Sequence, residues 1–166
     1  MIKAIVIGLF LFITTTSPDL KKIRSNFALM NKQEEAVNTI KEIALTSKEV
    51  SVNLKRAYYA AAEMTSAQYK INPAAKIKAF NSGKKILEAT ILADTSDLEA
   101  RYIRFTIQQN APAFLGYNKS LVSDKNYIIK NLNQFKTADP ELFSSVYAYL
   151  LTYGKLNSQE KALIDK

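Results

Sequence analysis

The chain contains no cysteine and no histidine. The first absence excludes disulfides, thiolate metal sites, cysteine nucleophiles and a lipid-modified cysteine behind an N-terminal leader, so stability has to come from side-chain packing alone. The second removes the commonest general base, the Ser-His arrangements and nearly all zinc chemistry. Four glycines and four prolines in 166 residues leave little material for the tight turns of a sandwich or barrel. The dense oxygen-ligand pattern of a calcium loop does not occur. No linker rich in Pro, Gly or Ser divides the chain, and no convincing pair of strands can be read from it. The expectation is a non-enzymatic protein with no catalytic residues, no metal ligands and no cofactor.

What is present favours helices. Ala, Lys, Leu and Glu are abundant, and a hydrophobic content of 48% over this length suits one domain with a core of its own. The formal charge is +8, yet the lysines occur as singles and as the pairs Lys21-Lys22 and Lys84-Lys85 spread along the chain. That distribution reads as a solvated cationic surface and not as a nucleic-acid face.

The N-terminal stretch MIKAIVIGLFLFITTTSPDL places Lys3 before an apolar run from Ala4 to Ile13, with small polar residues after it. This is the layout of a secretory signal peptide, and the run is well short of the roughly 20 residues that span a bilayer. No Ala-x-Ala cleavage site occurs, so Thr14-x-Thr16 before Ser17 is the nearest match. The expected organisation is a signal peptide over residues 1–16 and a single all-helical domain over 17–166. The expected location is exported, periplasmic or extracellular, with no integral membrane span once the leader is removed. An uncleaved anchor or a buried N-terminal strand is the alternative.

Apolar residues then recur at helical spacing. Leu20, Ile23, Phe27 and Met30 predict a first helix behind Asp19 as N-cap, and Ala36, Val37, Ile40, Ile43 and Ala44 a second. Ser47 is a possible cap for a third, whose run of alanines suits close approach of a neighbouring helix. Asn72-Pro73 breaks that helix and opens a fourth, with Ile77, Phe80, the stem of Lys84, Leu87 and Ile91 on one face. Thr95 or Ser96 caps a fifth over about 97–109 and Ser123 a sixth. Asp139-Pro140 opens a seventh that Gly154 stops in the C′ position, and Asn157 with Glu160 forms a capping box for a short last helix. The prediction is all-α, about eight helices.

The segment FNSGKKILEATILADTSDLEARYIRF resembles the second helix of a tetratricopeptide repeat followed by the first helix of the next, with Gly83, Leu87, Thr90 and Asp94-Thr95 in the positions of that family's small residue, large apolar residue, alanine and Asp-Pro. Thr90 stands where alanine is expected and Thr95 where proline is, and no period of about 34 residues runs through the chain. As a set, GKKILEA, RYIRFTIQQNAP and FLGY resemble small exported bacterial proteins with a tetratricopeptide-like helical body, over roughly residues 71–129. The resemblance implies stacked antiparallel helical hairpins in a right-handed array and brings no activity with it.

The candidate site is RYIRFTIQQNAPAFLGY, residues 101–117. On a helix Leu98, Tyr102, Phe105 and Gln109 share one stripe, while Arg101, Arg104 and Gln108 fall together on another. Either Arg101 pairs with Asp97 one turn earlier and Arg104 is solvated, or the two guanidinium groups receive a carboxylate or phosphate. Arg101, Arg104, Gln108 and Tyr117 are therefore the ligand-binding candidates. Gly116 can supply a positive φ, and Phe114, Leu115 and Tyr117 are apolar enough to plug the end of the core, the alternative being an aromatic lip over a pocket. Tyr58, Tyr59, Tyr69, Tyr147, Tyr149 and Tyr153 could line a concave face, and Asp94, Asp97 and Glu99 read as capping residues. The functional expectation is a protein or peptide binder; the alternative is a carrier of a small anionic or amphiphilic ligand.

Overall fold

Three of the four prolines stand one residue behind a capping side chain, and each of these pairs starts a helix. In a computed structural model that describes residues 16–165, Ser17 Oγ accepts from Leu20 N ahead of α1 (Pro18–Leu29). Asn72 Oδ1 accepts from Ala74 N and Ala75 N ahead of α4 (Pro73–Ala93). Asp139 Oδ1 accepts from Leu142 N ahead of α8 (Pro140–Tyr153). Proline fits there because its missing N–H is one of the donors a helix start leaves unpaired. The signal peptide lies outside the described residues, apart from its last residue, Thr16.

The remaining helices are α2 (Glu34–Thr46), α3 (Val52–Thr65), α5 (Leu98–Asn110), α6 (Leu121–Asn131), the single turn α7 (Phe135–Ala138) and α9 (Ser158–Ile164). The fold is all-α, as expected, with no strand among the described residues. The capping box at Asn157 and Glu160 forms in both directions. Several boundaries differ from the sequence reading. Ser17 and not Asp19 caps α1, Ser51 and not Ser47 caps α3, and Asp97 and not Thr95 or Ser96 caps α5. The sixth helix begins at Leu121, ahead of Ser123. Gly154 keeps a right-handed φ of −70°, and the left-handed position after α8 falls on Lys155 at φ 47°.

Consecutive helices pair: α1 with α2, α3 with α4, α5 with α6, and α3 also lies against α5. The α3–α4 contact is the most extensive. Ala57, Ala60 and Ala61 of α3 are fully buried, and a Cβ at Gly83 of α4 would stand 2.5 Å from the Ala60 carbonyl oxygen. Small residues on both helices let the two backbones meet. One apolar cluster runs from Ile23 in α1 to Ile164 in α9. Helix α5 sits at its centre, with ten of its thirteen residues buried. Among the described residues no helix is long and apolar enough to cross a membrane.

Candidate functional site

A helix buried on nearly all sides must bury its charged residues too, and α5 carries three of them inward. Arg104, only 7% exposed, sends Nε and Nη2 to Asp124 Oδ2 and Oδ1 at 2.6 and 2.8 Å. Its Nη1 donates to Glu88 Oε2 at 2.7 Å. Arg101 places Nη1 2.9 Å from Asp124 Oδ1, donates through Nε to the Thr95 carbonyl, and lies over the ring of Tyr127. Tyr117 donates its hydroxyl to Glu88 Oε1 at 2.5 Å. Burial drives the Tyr117 pKa up, and the bond to Glu88 adds to this. For Arg104, burial alone works against the charged form, and the hydrogen bonds and attraction of Asp124 and Glu88 overturn that and raise its pKa.

The structure therefore brings Arg101, Arg104 and Tyr117 into one cluster, closed by Asp124 from α6 and Glu88 from α4. Arg104 is not a solvated surface residue, and Arg101 does not pair with Asp97, which caps α5 and accepts from Asn53 Nδ2. Asp124 is wholly buried because two guanidinium groups compensate its charge. Gln108 is buried but makes no hydrogen bond to the cluster, and its Oε1 has no hydrogen-bond partner among the described residues. Glu88 and Asp124 were not singled out from the sequence. Their only signal there is that they are acids on apolar-faced helices on either side of α5.

Glu99 is the third charged residue of α5, and it is no cap. Arg24 of α1 donates to both its oxygens at 2.7 Å, and the buried Tyr58 hydroxyl donates to Oε1 at 2.5 Å. Arg24 also reaches Asp139. Burial, reinforced by the Glu99 charge, holds the Tyr58 hydroxyl well above its usual pKa. This second network ties α1, α3, α5 and the start of α8 together.

Above it the first and last long helices leave a groove of about 510 Å³. Tyr58, Tyr102 and Thr106 form its floor, Phe27 and Ala28 of α1 one wall, and Ser145, Ala148, Tyr149 and Tyr153 of α8 the other. Tyr149 packs edge-on against Tyr102 and Phe105, and its hydroxyl accepts from Asn110 Nδ2. Of the tyrosines picked from the sequence, Tyr58, Tyr149 and Tyr153 line this groove. Tyr69 instead donates to the Met30 carbonyl at 2.7 Å, and Tyr147 stacks on Phe143 and donates to Asp165. Tyr102, which the sequence placed on the core stripe, belongs to the groove as well.

The loop after α5 divides the work expected of it. Gly116 takes φ 58°, as its position suggested. Tyr117 is the core plug, meeting Phe80 edge-on, whereas Phe114 is 81% exposed and plugs nothing. Phe114 stands instead at the mouth of a second cavity of about 410 Å³ between the ends of α3 and α5 and the start of α4. Among the described residues no group of three or more His, Cys, Asp or Glu is placed to hold a metal ion. Comparison with protein-family models, with curated proteins and with solved structures gave no match to this chain.

Proposed function

We propose that this chain is a non-enzymatic, exported helical protein of tetratricopeptide-like build that binds a protein or peptide in the groove between α1 and α8. The observation that carries the reading is the composition of that groove. Tyr149 and Tyr153 give its wall aromatic area and hydroxyls at small rotamer cost, over a floor that Tyr58 and Tyr102 fill from the core, while Ala28, Ser145 and Ala148 leave room for an occupant. Successive hairpins, with α1, α3, α5 and α8 turned to the groove, support the tetratricopeptide-like description. The leader-like residues 1–16 support export. A carrier role draws no anion anchor from Arg101 and Arg104, because an incoming anion would have to displace Asp124 and Glu88.

Peptides selected from a displayed library against the full chain test the groove. Binding of the selected peptides should be abolished by Ala148→Arg and weakened by Tyr153→Ala, and be unchanged in Tyr59→Ala. Peptides that bind all these variants equally would remove the groove from the proposal. Export is tested separately by fusing residues 1–20 to a reporter. The fusion should leave the cytoplasm, and the mature chain should begin near Ser17; a soluble cytoplasmic product retaining Met1 would end that part of the reading.

A further inference from the structure

The second cavity carries a ligand reading independent of the tyrosine groove. Its volume of about 410 Å³ falls within the roughly 300–1,000 Å³ of small-molecule sites. Met64, Phe80, Ile107 and Leu115 line it, with Ile77 and Phe114 at the mouth. Both mouth residues present apolar surface to water, Ile77 at 44% and Phe114 at 81% exposure. The sequence places Ile77 on the inward stripe of α4, yet the fold leaves it partly uncovered. Gly83 and the alanines of α3 draw α3 and α4 together further along α4, and the cavity opens beside the first two turns of α4, at Lys76, Ile77 and Phe80. The loop from Ala111 to Leu115 roofs the space without filling it.

Its charge is one-sided. Lys76 is the one charged residue lining it, is exposed, and forms no ion pair among the described residues. The remaining polar groups there are neutral: Asn31, Thr65, Gln68 and Asn110. An apolar interior with a single ammonium at its edge complements a molecule with an aliphatic body and one anionic head. We propose that this cavity binds an amphiphilic carboxylate of the fatty-acid class. The aliphatic chain lies against Met64, Phe80 and Ile107, Lys76 meets the carboxylate, and the Phe114 ring folds over the chain. Phe114 rides on a short turn between Pro112 and the left-handed Gly116, so the ring can close without disturbing α5.

The test is saturable binding of a dansyl-labelled undecanoic acid to the full chain, read as fluorescence enhancement and competed by laurate. Phe114→Ala should weaken binding about tenfold, the effect of losing one buried aromatic side chain, while leaving the melting temperature in place. Lys76→Gln should weaken laurate roughly threefold, the scale of an exposed ion pair, and leave dodecanol unaffected. Tyr153→Ala, in the other groove, should leave the probe bound as before, so failure here and failure of the peptide reading are distinguishable. Enhancement that rises linearly without saturation overturns the proposal, as does equal affinity in the wild type and Phe114→Ala. Equal loss of laurate and dodecanol in Lys76→Gln overturns the carboxylate assignment.

Discussion

Arg24 of α1 and Asp139, the N-cap of α8, are 115 positions apart in the chain and are joined by hydrogen bonds of 2.8 and 3.2 Å. Asp139 thus serves two partners, since its Oδ1 also accepts from Leu142 N. The contact ties the first helix to the start of the last long one through Arg24, which also lines the tyrosine groove. Burial of Asp139 favours its neutral form, but the Arg24 and Leu142 bonds outweigh it and hold the pKa below the ordinary 3.8.

A lowered carboxylate pKa contributes stability above its unfolded value and loses it as pH falls through the folded one. Asp139→Asn keeps a capping oxygen but removes the charge. In urea denaturation followed from about pH 6 to about pH 3, wild type should therefore lose more stability than Asp139→Asn. Parallel curves would show that Arg24 draws its compensation from Glu99 alone.

Gly83 should not tolerate a side chain. A Cβ there would stand 2.5 Å from the Ala60 carbonyl oxygen and 2.9 Å from Met64 N, both backbone atoms that cannot turn aside. Gly83→Ala should cost about 1–3 kcal/mol despite the higher helix propensity of alanine. A neutral or stabilising result in chemical denaturation would mean that α3 and α4 lie further apart than described.

The loop residues should separate cleanly. Phe114→Ala is expected to change stability by less than about 0.5 kcal/mol, as surface substitutions do. Tyr117→Ala, which empties a buried aromatic site and removes the hydroxyl donor from Glu88 Oε1, should cost about 3–5 kcal/mol. Similar losses for the two would place both rings in the core.

Arg104→Gln removes the bidentate partner of a fully buried carboxylate and should cost about 3–5 kcal/mol. Arg101 supplies only one bond to Asp124 from a more exposed position, so Arg101→Gln should cost distinctly less. In the double variant with Asp124→Asn, the loss from Arg104→Gln should shrink, because no buried negative charge is left uncompensated. Additive losses in that cycle would deny the coupling.

How far the fold was legible follows from the range of the interactions concerned. Asn72-Pro73, Asp139-Pro140 and the Asn157–Glu160 box were readable because capping is settled within about one turn of chain. Ser17, Ser51 and Asp97 each won over an equally qualified neighbour, a choice that the register of the packed helix makes. The stripe of α5 was also readable. Which of its faces met solvent was not, since Arg104 reads as polar and therefore outward until its partners are known.

The all-helical class, the approximate helix count and the small-residue contact between α3 and α4 were determined by the sequence itself, through periodicity, caps and the placement of alanine and glycine. Only tertiary structure decided that α5 is central, that Arg24, Glu99, Arg104 and Asp124 lie inside, and that Tyr117 fills the core while Phe114 faces water. Helix propensity and capping depend on neighbours a few residues away. The burial of a charge depends on compensation by groups 20, 75 or 115 positions distant, and no local pattern encodes which of them will arrive.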